Sequence, residues 1–206
     1  MTAEHPKAAQ GAERRNFFRI DDTVRLSLRV LSADELEDCL DRLDHGLAGN
    51  FTVMSGIASI TAETTLGLRR IEKRDPELAA YLRAIDRKIE LIGRALIAHE
   101  PELSAEQAVP VNLSAGGMCI GVDRGFAPGT PIETRMLLLP SLSGLVIYGN
   151  VVESSPVAAE RTGGRFEHLT RIEFTHIREQ DRELLIRHLL RRQSAQLRDR
   201  QGQDPT

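Results

Sequence analysis

ERRNFFRIDDTVRLSLRVL, residues 13–31, governs how the rest of this chain is read. Its second half alternates strictly. Val24, Leu26, Leu28 and Val30 share one side, and Arg25, Ser27 and Arg29 share the other. That period of two predicts a half-buried β-strand from Thr23 to Leu31. The first half crowds Arg14, Arg15 and Arg19 around Phe17 and Phe18, just ahead of the strand. Arg15 and Arg19 have the RxxxR spacing, which can place both on one face of a helix or strand. Guanidinium groups bind phosphate through paired hydrogen bonds and stack on planar bases, so the pair suits a ligand carrying both. Taken alone, the segment reads more simply as solvated, with its cations paired to Glu13, Asp21 or Asp22.

The whole chain gives this local basic cluster no support. It has 206 residues and a formal net charge of −3, so no global field draws it to nucleic acid or membrane. The length suits one domain with a large insertion, or two small domains, and needs neither disulfide nor metal to bury a core. Cys39 and Cys119 lie far apart with no CxxC spacing, which speaks against metal and disulfides and for a reducing compartment. The first fifteen residues have no apolar core of a signal peptide, and no apolar run reaches spanning length. The prediction is a cytoplasmic protein with no membrane insertion. The six histidines are scattered, no phosphate-loop fingerprint appears, and nothing argues for catalysis or for a catalytic residue.

Residues 1–12 are polar and read as a disordered tail. After the first strand the period changes. Ser32 or Asp34 can cap a short helix through Leu43, with acidic residues at its positive end. Asn50 can cap a longer helix whose apolar positions include Phe51, Met54, Ile57, Ile60, Leu68 and Ile71, with Thr61 and Thr64 in the same stripe. Gly56 and Gly67 weaken it by about 1 kcal/mol each relative to Ala. Asp75 and Pro76 then cap and open a third helix. Here Leu78, Leu82, Ile85, Ile89, Ile92 and Leu96 recur at steps of four and three, the pattern of a coiled-coil seam. Two outcomes follow: a hairpin that buries its own stripes, or one whose seam joins other copies into a homo-oligomer. Mixed Leu and Ile choose neither dimer, trimer nor tetramer, nor the helix orientation.

Strand signals resume after Pro101, over 108–113, 118–122, 132–139, 145–153 and 165–177, with turns such as AGG, APGTP and SLSG between them. Residues 178–198 form an amphipathic helix with a basic end, and 199–206 a tail. Short strands at close spacing make a small antiparallel barrel. The chain thus reads as α+β: a β-barrel formed by 13–31 and 107–198, split after its first strand by a helical, coiled-coil-like insertion over 32–106, and closed by a C-terminal helix.

Far downstream lies NLSAGG, Asn112 to Gly117, between two predicted strands. Asn112 offers an amide that donates and accepts at a base edge, and Ser114 a hydroxyl. Gly116 and Gly117 permit positive φ and close approach of backbone to ligand. With Arg15–Arg19 this pattern resembles the two signatures of PilZ domains, RxxxR and (D/N)xSxxG. RIEFTHIREQDRELLIRHLLRRQ similarly resembles the family's last strand and following helix. The likeness covers Glu13–Leu31 and Gln107–Gln193. The long helical insert departs from the ordinary family pattern and looks like that of self-assembling variants.

The resemblance implies a non-enzymatic cyclic di-GMP receptor with no other cofactor. Arg15 and Arg19 would clamp phosphates and stack on guanine, with Arg14 in reach. Asn112 would read a guanine edge, Ser114 would bond phosphate or base, and Gly116 and Gly117 would hold the turn open. The alternative is a structural oligomerisation module whose barrel no longer binds nucleotide. A nucleic-acid binder would need a broad basic stripe and stacking aromatics, and the chain has neither. Partners are therefore the dinucleotide, further copies of this chain and a downstream protein.

Overall fold

The structure, a computed structural model, describes residues 18–45, 50–98, 108–141, 143–158, 160 and 164–201. In chain order they form β1 (Ile20–Val30), α1 (Ala33–Asp44), α2 (Asn50–Arg74), α3 (Pro76–Ala98), β2 (Val109–Ser114), β3 (Gly117–Val122), β4 (Pro131–Leu138), β5 (Ser143–Pro156), β6 (His168–His176) and α4 (Glu179–Gln201). The strands close an antiparallel barrel in the order β1-β2-β3-β6-β5-β4. β1 is the closing strand. Its start, Ile20–Val24, pairs with β2, and its remainder, Val24–Val30, with β4. The architecture is the α+β barrel with inserted helices expected from the sequence.

β1 begins at Ile20, ahead of the expected Thr23. The extension matters because it brings Asp21 and Asp22 into the strand. Ile20, Asp22, Val24 and Leu26 are buried on the inner side, and Asp21, Thr23 and Arg25 face out. The barrel core joins Val24, Leu113, Met118, Ile147 and Ile172 to Leu184, Leu185 and Leu189 of α4, which lies against the barrel. Asp22 is therefore not free for the preceding arginines. Its fully buried carboxylate accepts from His188 Nε2 at 2.5 Å and from Arg192 Nε at 2.7 Å, both on α4. Burial alone would raise the Asp22 pKa, but the bonds from His188, the Thr23 amide and Arg192 outweigh it and hold it below the usual value.

Ser32 caps α1 in a capping box with Glu35: each side chain accepts from the other residue's backbone N–H. Leu36, Leu40 and Leu43 lay α1 on Leu31, Leu137 and Tyr148. Beside them Glu133, buried on the outer barrel face, accepts from Arg29 at 2.7 Å and Arg135 at 3.1 Å.

The apolar residues of α2 divide between two faces. Phe51 and Met54 are buried against β5, so closely that a Cβ on Gly144 would lie 2.8 Å from the Phe51 ring. One turn on, Ser55 accepts from Arg178 Nη2 at 2.6 Å, and Arg178 pairs with the fully buried Asp181 of α4. Burial pushes the Asp181 pKa up, with the Arg178 charge and the Ser55 hydroxyl opposing. Ile60, by contrast, is 62% exposed.

Asp75 alone joins α2 to α3. Its Oδ1 accepts from the Leu78 amide at 2.9 Å, capping α3. The two helices run antiparallel, with Arg83 paired to Glu72 and Met54 against Gly93. Their contact runs through small residues, Ala79 and Gly93, which let the backbones approach. A Cβ on Gly93 would lie 2.5 Å from the Met54 sulfur. The heptad seam is therefore not spent on the hairpin. Leu78, Ile85, Ile89 and Ile92 are exposed, and only Leu82 and Leu96 are partly covered.

Candidate functional site

β2 and β3 form a hairpin whose turn is Ser114–Gly117. Ser114 pairs with Gly117 across it, and the Ser114 hydroxyl donates to the Gly117 carbonyl at 3.0 Å. The Gly116 carbonyl accepts from the Phe174 amide of β6 at 2.9 Å. The Ala115 carbonyl accepts from Arg182 of α4 at 3.5 Å. The turn is thus held from three directions before any ligand arrives. Its glycine requirement is one of space, not of the positive φ anticipated from the sequence. Gly117 lies in β3, and a Cβ there would run into the Ile172 carbonyl oxygen of β6.

Arg19, just before β1, reaches over this turn. Its Nε donates to Asn112 Oδ1 at 2.5 Å and its Nη2 to the Asn112 carbonyl at 3.0 Å. Its Nη1 lies 3.4 Å from the Ser114 hydroxyl. Asn112 Nδ2 donates in turn to Asp21 Oδ1 at 2.7 Å, which fixes the amide's orientation by its hydrogen bonds. Among the residues singled out from the sequence, Arg19, Asn112, Ser114, Gly116 and Gly117 are therefore brought together. Arg14 and Arg15 lie outside the described residues.

Strand register adds neighbours the sequence did not disclose. Asp21 pairs with Asn112, Asn112 with Cys119, Cys119 with Arg171 and Arg171 with Glu153, a row across five strands on the outer face. Burial draws the Arg19 pKa below its usual value, with Cys119 opposing and the Arg171 charge adding to the fall. Arginine remains a cation regardless. Burial pushes the Cys119 thiol up against the pull of both arginines. Asp21 is tied to α4 as well, because Gln196 Nε2 donates to its carbonyl at 2.7 Å. The alternation of β1 and β2 could have placed Asp21 and Asn112 on outer faces, but no local signal pairs them.

Chemically, the site offers a guanidinium for phosphate and an amide for a base edge on the barrel's outer face beside an exposed Arg171, while the Ser114 hydroxyl next to them is buried. Among the described residues there is no group of three His, Cys, Asp or Glu that could hold a metal. No helix among them is long and apolar enough to cross a membrane.

Comparison with known proteins identifies the class. Residues 82–191, more than half of the chain, match the PilZ domain model, and the chain belongs to that family. PilZ domains are generally non-enzymatic modules of a cyclic di-GMP receptor family. The matched span contains Asn112–Gly117 and begins within α3, leaving Arg19 outside it. Among solved structures, the chain is similar to a pathogenic protein from Xanthomonas campestris, a tetrameric PilZ domain self-assembled through a helical bundle. Identity is 18% over 89% of this chain and 92% of that one, with a TM-score of 0.51. It is also similar to an inhibitor of motility from Bacillus subtilis, at 12% identity over 89% of this chain and 52% of that one, with a TM-score of 0.43. No curated protein sequence matches the chain significantly.

Proposed function

We propose that this chain is a cytoplasmic, non-enzymatic cyclic di-GMP receptor that acts as a homo-oligomer and relays occupancy to a downstream protein. The observation that carries the binding role is the meeting of Arg19 with Asn112 and Ser114, residues more than ninety positions apart in the chain. In the structure Arg19 bonds to both Asn112 and Ser114. Cyclic di-GMP would exchange those bonds for better ones. A phosphate would take Arg19, with Arg15 and Arg14 closing on it, and a guanine edge would take the Asn112 amide. Ser114 would bond phosphate or base, while Gly116 and Gly117 keep the turn low enough for the approach. Charge-assisted bonds of this kind contribute about 1.5–3 kcal/mol each.

The relay follows from what the site is tied to. Asp21 and Asp22 connect it to Gln196, His188 and Arg192 of α4. Arg178, at the start of α4, connects that helix to Ser55 of α2. Engagement of the arginine segment by ligand would thus be felt at the inserted helices. Hydrogen exchange over residues 12–22 with and without nucleotide tests this, and unchanged protection at saturation would remove the relay but not the binding.

The oligomer reading rests on the exposed seam of Leu78, Ile85, Ile89 and Ile92, with Leu82 and Leu96 at its margin. The seam also fits the second reading, a structural module that no longer binds nucleotide. Calorimetric titration of cyclic di-GMP into the purified protein separates the two. Micromolar or tighter binding that is lost in Arg15→Ala/Arg19→Ala supports the receptor. Absence of heat with folded protein overturns it.

A further inference from the structure

α2 carries a stripe of its own. Val53, Ile57, Ile60, Thr64, Gly67 and Ile71 recur at steps of four and three, the rhythm of the α3 seam. At about 100° per residue, this stripe lies roughly a quarter turn from the Met54–Glu72 line that faces α3. The α3 seam lies roughly a quarter turn from the Ala79–Gly93 line that faces α2. Because the helices are antiparallel, both turns lead to the same side of the hairpin. Phe51 and Ser55, which dock on the barrel and α4, lie on the opposite side of α2.

We propose that this joint α2–α3 face is where a second copy of the chain packs, with α2 supplying about half of the contact. The inference rests on the self-assembly proposed above and adds α2 to it. Area favours it. Each stripe is about 27 Å long at 1.5 Å per residue, and one helix about 10 Å wide offers only about 270 Å². Two helices side by side offer about 500 Å², which approaches the roughly 800 Å² per partner of a stable interface. A contact of this one face with the same face of a second copy is the two-fold arrangement commonest among homo-oligomers.

Three features of α2 are otherwise unexplained. Val53 is 48% and Ile60 62% exposed, large apolar groups with no role in the barrel. Thr64 donates its hydroxyl to the Ile60 carbonyl at 2.8 Å, and Thr61 likewise to Ile57 at 2.9 Å. The donors are thus satisfied within the helix, and burying Thr64 leaves none unpaired. Gly67 weakens the helix interior, yet a Cβ there would meet nothing within 4 Å, so the chain itself does not require it. A helix from another copy, pressed close at that point, does.

The test is the solution mass of the full chain by light scattering. The comparison is between Val53→Glu/Ile60→Glu on α2 and Ile85→Glu/Ile89→Glu on α3, with circular dichroism confirming that both fold. Both pairs are expected to reduce the mass to that of one chain. If only the α3 pair does so, self-assembly stands and the role of α2 is overturned. A single-chain mass for the unmutated protein overturns both and leaves the face to a different protein. Gly67→Ala gives a milder check. It should leave the melting of the dissociated chain unchanged or raised, yet weaken association at least tenfold. Association as tight as in the unmutated protein would refute packing at α2.

Discussion

Replacing Asp22 with Asn should cost this protein much of its stability. The carboxylate is fully buried, His188 is 4% exposed and Arg192 39%. Asn keeps the volume but removes the charge that both partners address. Each charge-assisted bond contributes about 1.5–3 kcal/mol. The Arg192 share is discounted because that guanidinium can return to water. The loss is then about 3 kcal/mol. At about 2–4 °C per kcal/mol for a chain of this size, the melting midpoint should fall by about 6–12 °C at neutral pH. The pH dependence has a definite sign. The folded-state pKa of Asp22 is lowered, so its contribution is complete above the unfolded value of about 3.9 and is lost as pH falls through the folded one. The gap between the unmutated protein and the Asp22→Asn variant should therefore be constant above about pH 5 and narrow in acid. Thermal melts followed at 222 nm, from pH 7 down to pH 3, measure both. A midpoint within about 3 °C of the unmutated protein at pH 7 would refute the reasoning. It would mean that Leu184, Leu185 and Leu189, with the bonds made by Arg178, Arg182 and Gln196, suffice to hold α4.

Three more outcomes are expected. Asn112→Ala and Ser114→Ala should each weaken cyclic di-GMP binding about tenfold or more in calorimetry, and unchanged affinity would take that residue out of the site. Gly117→Ala forces β3 away from the Ile172 carbonyl and should destabilise by about 2 kcal/mol, read from urea unfolding; a neutral result would show that β6 yields. Cys119, whose pKa is raised by burial, should alkylate more slowly than a free thiol at pH 8, and more slowly again with cyclic di-GMP present. Rates unaffected by the nucleotide would place the ligand away from this row.

Much of the fold was legible because local rules act locally. Strict alternation announced β1, Ser32 or Asp34 as a cap before acidic residues announced α1, and Asp75-Pro76 announced α3. What escaped was whatever depended on distant partners. Asp22 looked like a counter-ion for the neighbouring arginines, but strand alternation turns it inward, to a histidine 166 residues away. The apolar residues of α2 read as one stripe. They split because the barrel claims Phe51 and Met54, with Ile57 packed partly against them, while Ile60 is left exposed. At the candidate site, the two motifs disclosed Arg19, Asn112 and Ser114. The bond from Asn112 to Asp21 and the hold of Gln196 on that strand join residues 91 and 175 positions apart. Periodicity carries no record of such pairings.

The closing strand sets the order in which the chain can assemble during synthesis. β1 emerges first but stays unpaired until β2 and β4 exist, and Arg19 must wait for a partner 93 residues later. The contact between α2 and α3 needs only these two helices, the second of which ends at Ala98, whereas Phe51, Met54 and Ser55 wait for β5 and α4. At about 5–20 residues per second, the ribosome takes about 2–8 s more to deliver the rest of β4. If copies join through this hairpin as proposed, those of successive nascent chains on one message would have that interval in which to find each other. Subunit pairing would then precede barrel closure, and partners would be drawn from the same message.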